Sequence, residues 1–260
     1  MTGTPLRAAL LDLEGTLYAN ERVIEGAAAA IGALREQGVA LRFLTNTDSR
    51  TTAQIHARLT GYGLPVRPEE LFTPVVAARH LLTAPGVRTY ALVSRALRDG
   101  VPGLVSEPPY THVLIGDCRD VLDYPALDGA FRAVREGAEL LALQRGRYFK
   151  RADGDHLDTG AVVAAVEYAA GTTARVLGKP AVDFFALAVR SLGVSAEECL
   201  VVGDDASTDV AGGNAAGLRT VQVRTGKYAD QHAEGLTGSA THTCDSIAEL
   251  PDLIAKLGER

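Results

Sequence analysis

Residues 10–17 read Leu10-Leu11-Asp12-Leu13-Glu14-Gly15-Thr16-Leu17, an apolar run that ends in two carboxylates, a glycine and a hydroxyl. On a strand, residues i and i+2 point to the same side. Asp12 and Glu14 are therefore expected to face one pocket at a strand's C-terminal end, where open parallel sheets hold their ligands. One acid acting as nucleophile or metal ligand and a second as proton carrier is a recurring way to cleave phosphate esters.

Three more stretches carry residues of matching chemistry. Phe43-Leu44-Thr45-Asn46-Thr47 offers a hydroxyl and an amide, neutral donors that grip phosphoryl oxygens. By itself it reads first as an N-cap, with Thr47, Asp48 or Ser49 opening the next helix. Leu177-Gly178-Lys179-Pro180 sets one of only four lysines (Lys150, Lys179, Lys227, Lys256) between a glycine and a proline. If Pro180 opens a helix, Lys179 sits at its N-terminus, where the dipole gives an ammonium nothing, so an anion is expected to meet it. A solvated loop lysine is the plainer reading of that tetrapeptide alone. The spacing is not that of a P-loop. The third stretch, Leu200-Val201-Val202-Gly203-Asp204-Asp205-Ala206-Ser207-Thr208-Asp209, delivers three carboxylates within six residues. Hard cations such as Mg2+ take such oxygens. Thr208 or Asp209 would at the same time cap a helix, and the spacing is not that of an EF-hand.

These groups need elements to hold them. Short apolar runs alternate with longer amphipathic ones, the pattern of a parallel α/β sheet. Strands are expected at Ala8–Leu13, Ala40–Leu44, Cys199–Val202 and Thr220–Val223, and helices at Gly26–Gln37, Thr51–Leu59, Val182–Leu192 and Asp209–Ala216. A second alternating block lies between them. It has strand-like Tyr90–Ser94, His112–Ile115 and Glu139–Gln144, and helical Pro125–Glu136 and Ala161–Ala170. The expected organisation is a core of residues 1–79 and 176–260, interrupted by a small α/β domain over 80–175. Pro85-Gly86 and Gly171-Thr172-Thr173 are the candidate joints.

The net charge of -6 argues against a nucleic-acid partner, which would call for a basic face. Cys118, Cys199 and Cys244 are odd in number and lack a C-x-x-C, so thiols in a reducing compartment are expected rather than a disulfide frame or a zinc site. No leader or membrane-length apolar stretch is evident, which points to a cytoplasmic protein. None of the six histidines falls in a motif.

Taken in order, Asp12-Leu13-Glu14-Gly15-Thr16, Thr45, Lys179, and Gly203-Asp204 with Asp209 resemble the signature of the haloacid dehalogenase superfamily of phosphohydrolases. The inserted block resembles the α/β cap of its NagD-type class. Gly146-Arg147-Tyr148-Phe149-Lys150, Leu177-Gly178-Lys179-Pro180 with Phe184-Phe185, and Val223-Arg224-Thr225-Gly226-Lys227-Tyr228 carry the likeness across the whole chain. The resemblance implies a Rossmann-like doubly wound parallel sheet with an inserted α/β cap, and an Mg2+-dependent phosphatase acting on a small phosphorylated substrate or pyrophosphate. It implies Asp12 as nucleophile, with the metal held by Asp12, the Glu14 main-chain carbonyl and Asp204, supported by Asp205 or Asp209. It also implies that Thr45 and Asn46 hold the phosphoryl group, that Lys179 balances its charge, and that a homodimer forms through the cap.

Glu14 departs from that signature, which has Asp at this place and, in the most similar branch, often Ser. It is expected to serve as acid and base despite its extra methylene. Substrate choice is expected in the cap, where Arg145 and Arg147, in the basic stretch 144–151, would suit a second anionic group. A solvated polar turn is the plainer reading of that stretch. Competing functions are a weakly catalytic relative that only binds phospho-ligands, a phosphotransferase, and a receiver module phosphorylated on Asp12. The last is about half this length and lacks an insert.

Overall fold

In the segment Ala8-Ala9-Leu10-Leu11-Asp12 every residue is buried, as in a strand covered on both faces of a parallel sheet. The computed structural model describes residues 5–151, 153–236 and 238–258. In it, Ala8–Asp12 pairs in parallel with Cys199–Gly203 on one side and Ala40–Leu44 on the other. Among the described residues this sheet has six parallel strands. Their order is His242–Cys244, Arg219–Val223, Cys199–Gly203, Ala8–Asp12, Ala40–Leu44 and Leu71–Phe72. From Ala8–Asp12 the chain steps one way across the sheet and later returns to build the other half. That strand therefore sits at the topological switch point, where α/β sheets bind ligands.

Alternation along the strands sorts the core. Ala9, Leu11, Leu41, Phe43, Leu200 and Val202 face one side, against Ile31 and Leu34 of the helix Ala27–Glu36, Ile55 and Leu59 of Thr52–Gly61, and Ile254 of Leu250–Gly258. On the other side Gly213 lies so close to Val201 that a side chain there would overlap it. The helix Val182–Arg190 also packs on Ala8–Asp12. Helices thus cover both faces, as a doubly wound sheet requires.

The chain divides into two units, residues 1–45, 52–72 and 179–260, and residues 46–51 with 73–178. Among its described residues the second unit has a parallel sheet of its own, ordered Arg175–Val176, Glu139–Ala142, His112–Ile115, Thr89–Leu92. One face carries Leu92, Val113, Ile115 and Leu140, and the other Ala91, Val93, Leu114 and Leu141. An antiparallel hairpin, Tyr148–Arg151 with Gly154–Leu157, precedes the helix Thr159–Ala170.

The crossings fall at 72/73 and 178/179 instead of 79/80 and 175/176. The helix Pro74–Leu82 buries Val75, Ala78 and Leu82 in the second unit's core, and Arg175–Val176 pairs with Glu139–Ala142 in its sheet. Pro85-Gly86 and Gly171-Thr172-Thr173 are loops inside that unit, not joints. No helix among the described residues is long and apolar enough to cross a membrane.

Candidate active site

Three strand ends of the first unit lie side by side. Asp12 closes its strand in register with Leu44, so Thr45 follows beside it, and Asp204 follows Gly203 on the neighbouring strand. Asp12, Thr45, Asp204 and Asp209 are buried, and so is Lys179, at 5% exposure. The Lys179 ammonium donates to Oδ1 of Asp12 and, at 2.7 Å, to Oδ1 of Asp209. Thr16 Oγ1 donates at 3.4 Å to the other Asp12 oxygen. Lys179 is not the solvated loop lysine that the tetrapeptide alone favours, nor does Pro180 open the helix, which starts at Val182 after an Ala181 cap.

Charge in this cluster is out of balance. Burial pushes the Asp12 carboxyl up to about 6 against the pull of Lys179, with Asp204 adding to the rise. Burial lifts Asp204 to about 6 and Asp209 to about 7. Burial alone would depress Lys179, but Asp12 and Asp209 outweigh it and hold the ammonium above its usual range. With all three carboxyls ionised, one ammonium leaves two negative charges in a space nearly closed to solvent, an arrangement that is costly without a counter-charge. One oxygen from each of Asp12, Asp204 and Asp209 lies within 4.8 Å of the others. An all-carboxylate set short of two positive charges fits a hard divalent cation.

Asp205 points elsewhere. Its Oδ1 accepts from the Ser207 and Thr208 main chains, the Ser207 hydroxyl and Gln231, while Oδ2 pairs with Lys227 at 2.8 Å. Burial would raise it, but Lys227 and these donors outweigh burial and hold it well below the usual carboxylate range. Asp205, and not Thr208 or Asp209, caps the helical segment, which opens as a π-turn over Ala206–Val210 before Ala211–Ala215. That early start turns Asp209 inward, over a Gly203 with no room for a Cβ.

Glu14 does not share a strand face with Asp12, because the strand stops at Asp12 and not at Leu13. Gly15 turns the chain at φ +94°, and Glu14 bridges to Tyr18 with its side chain exposed. Among the described residues its carboxylate has no hydrogen-bond or ion-pair partner. Tyr18 packs at 5.2 Å against Tyr62, and the Arg58 guanidinium stands over both rings.

In the second unit, Asn46 is half-buried beside Gly178. Asp48 does not cap the next helix, which begins at Thr52. Its carboxylate is buried and accepts from the Asp117 main chain (3.0 Å) and the Thr159 hydroxyl (2.7 Å), with the Gln144 amide at 3.5 Å. Burial, with Asp158 and Asp117 adding to it, lifts Asp48 to about 6. Arg145 is exposed and paired with Glu167 at 2.7 Å, whereas Arg147 is exposed beside it without that tie. The side chains of Lys150 and Arg151 lie outside the described residues. The thiols of Cys118, Cys199 and Cys244 are free and buried. Burial first, then Asp117 and Asp48, push Cys118 up to about 11.

The chain is similar to known proteins along most of its length. Residues 9–103 match the family described as haloacid dehalogenase-like hydrolase, and residues 176–250 match the HAD-hydrolase-like family. The haloacid dehalogenase-like hydrolase domain-containing protein 2 of Bos taurus is 38% identical over 97% of this chain and 97% of its own. The chain belongs to the haloacid dehalogenase-like hydrolase family. The phospholysine phosphohistidine inorganic pyrophosphate phosphatase of Xenopus laevis is 34% identical over 95% of this chain and 96% of its own. NagD of E. coli shares the fold at a TM-score of 0.86 and 24% identity, over 95% of this chain and 98% of its own. A glycerol phosphate phosphatase of Mycobacterium tuberculosis, solved with magnesium, reaches a TM-score of 0.82 and 28% identity over 96% of this chain and 78% of its own. Relatives more than 30% identical to this hydrolase carry the names of a hydrolase and a phosphatase of the same family.

Sequence reasoning missed two contributors. Gln231 was assigned no part, though it braces Asp205 and accepts from the Ala206 main chain. Lys227, noted only for its rarity and its place in a motif, pairs with Asp205. Its scarcity and its place in that motif were the signals available for it.

Proposed function

We propose that this hydrolase is an Mg2+-dependent phosphatase of small phosphorylated compounds, working through an aspartyl-phosphate on Asp12. The observation that carries the reading is the buried cluster of Asp12, Asp204 and Asp209 around one lysine, two positive charges short, at the switch point of the sheet. Mg2+, when bound, would be held by Asp12, Asp204, Asp209 and the Glu14 main-chain carbonyl, and would supply electrostatic neutralisation of the phosphoryl group. Asp205, already saturated by its own partners, is left to brace the loop.

An oxygen of the Asp12 carboxylate attacks phosphorus, and the bond to the leaving oxygen breaks with its electron pair. That oxygen takes a proton from the Glu14 carboxyl. Thr45 and Asn46 donate to the transferring phosphoryl oxygens, while Lys179 keeps Asp12 aligned and balances the charge as it moves. Water, giving its proton to the Glu14 carboxylate, then cleaves the acyl phosphate and restores Asp12. Catalysis of this kind is mostly positioning and electrostatics. The second unit serves as the cap that selects substrates, with Arg147 the arginine open to a second anionic group. Pyrophosphate and phosphoamidates are the substrate classes to try first, given the named activity of the Xenopus laevis relative.

The exposed, unpartnered Glu14 carboxylate favours one rival, a weakly catalytic protein that holds phospho-ligands. Turnover of p-nitrophenyl phosphate with Mg2+, abolished in Asp12→Asn, is the expected result. Binding without turnover would support the rival, and a single stoichiometric phosphorylation would support a receiver.

A further inference from the structure

We propose that the turn Thr225-Gly226-Lys227 is a clamp that positions the metal-facing groups from behind, a role that rests on the divalent-metal reading above. The turn follows the strand Arg219–Val223 and touches both loops that carry the cluster. Thr225 Oγ1 donates to the Gly15 carbonyl at 2.5 Å, gripping the bend that follows Asp12 and Glu14. Two residues on, the Lys227 main-chain N–H donates to Asp204 Oδ2 at 2.7 Å. Between them Gly226, at φ +58°, lies so close to the Asp204 carboxylate and the Gly15 backbone that a Cβ would overlap both. Gln222, in the strand leading to the turn, donates to the Asp204 carbonyl at 3.1 Å.

The physical consequence is rotational. A carboxylate on a single Cβ turns freely about χ2, and an N–H fixed on one oxygen leaves the other aimed where the backbone sets it. The Lys227 N–H does this for Asp204, while Thr225 fixes the distance between the Asp12 loop and the Asp204 loop, which hang from different strands. Neither residue faces the reacting phosphorus in this role, so both are positioning residues. Partners of this sort behind metal ligands are worth about 10- to 100-fold in metal affinity.

Two substitutions at Lys227 distinguish the main-chain donor from the side chain. Its φ of -79° is one that proline adopts, so Lys227→Pro removes the N–H while Lys227→Ala keeps it. Mg2+ binding is measured by calorimetry on the metal-stripped full chain, alongside melting in EDTA and kcat and KM for p-nitrophenyl phosphate. Thr225→Val and Lys227→Pro are each expected to weaken Mg2+ binding by about tenfold or more. KM at saturating Mg2+ stays near wild type, and the melt in EDTA checks that each variant is folded. Thr225→Ser restores affinity, and Lys227→Ala loses far less of it than Lys227→Pro. Wild-type affinity in both Thr225→Val and Lys227→Pro overturns the clamp, as does equal loss in Lys227→Ala and Lys227→Pro, or failure of Thr225→Ser to rescue. If the wild-type chain itself binds no Mg2+, the metal reading falls first and the clamp with it.

Discussion

Replacing Asp12 by Asn should abolish turnover and yet make the metal-free protein more stable. Burial, only partly offset by Lys179, holds the folded Asp12 carboxyl near 6 against an ordinary 3.8. The folded state thus binds more protons at this site than the unfolded state between pH 4 and 6. Stability falls as pH rises through that window, and the full penalty is present above it. Roughly two pH units at 1.36 kcal/mol each come to about 3 kcal/mol. Asn is neutral, nearly the same size, and its carbonyl can still accept from Lys179. For a chain of this length, about 3 kcal/mol corresponds to a melting shift of about 6–12 °C. The assay is a set of melts in EDTA from pH 4 to 8, with wild type and Asp12→Asn side by side. The gap should open with rising pH and shrink when Mg2+ is added, because the metal stabilises wild type by mass action. An Asp12→Asn protein that melts at or below wild type at pH 7.5 in EDTA, or a gain independent of pH, would refute the reasoning.

Stripping Mg2+ should remove turnover and lower the wild-type melting point, with Asp204→Asn and Asp209→Asn responding less to its return; calorimetric titration of each variant checks this. Glu14→Ala should slow hydrolysis of alkyl phosphates far more than that of p-nitrophenyl phosphate, whose leaving group hardly needs a proton; equal loss on both, measured as kcat/KM, would remove Glu14 from proton transfer. Asp48→Ala takes this acceptor from the Asp117 main chain and the Thr159 hydroxyl, while the Gln144 amide keeps its 2.8 Å bond to Asp158, at a cost of roughly 1–3 kcal/mol. Because burial raises Asp48, wild type gains stability as pH falls through 6, so the deficit of Asp48→Ala should be larger at pH 5 than at pH 7.5. Hydrogen exchange at residues 117–120 reads it.

Much of the scaffold was legible because its signals are local. The wholly apolar runs at Ala8–Leu11 and Leu200–Val202 could be little else than buried parallel strands, and the expected strand at Ala40–Leu44 matches the one observed. What failed was orientation. Asp12 and Glu14 share a side only while the strand lasts, and one residue of early termination at Asp12 sends Glu14 outward. The helix start near Asp209 was misjudged for a related reason. Any of several polar residues there could cap it, and the choice of Asp205 was made by Lys227 and Gln231, more than twenty residues away. Burial of Lys179 was likewise beyond its own tetrapeptide, since it depends on carboxylates brought in by two other strands.

Asp48 also bears on how such a protein can exchange parts. Residues 73–178 look like a cassette that recombination or a designer could lift out and replace. The six residues 46–51 nonetheless cluster with that cassette, and one of them supplies a buried acceptor for two of its loops and the start of one of its helices. A graft cut only at 73 and 178 would leave this acceptor in the recipient and its donors in the transplant. Inheritance of a new insert together with a matching short loop from the first third of the chain is the combination most apt to fold.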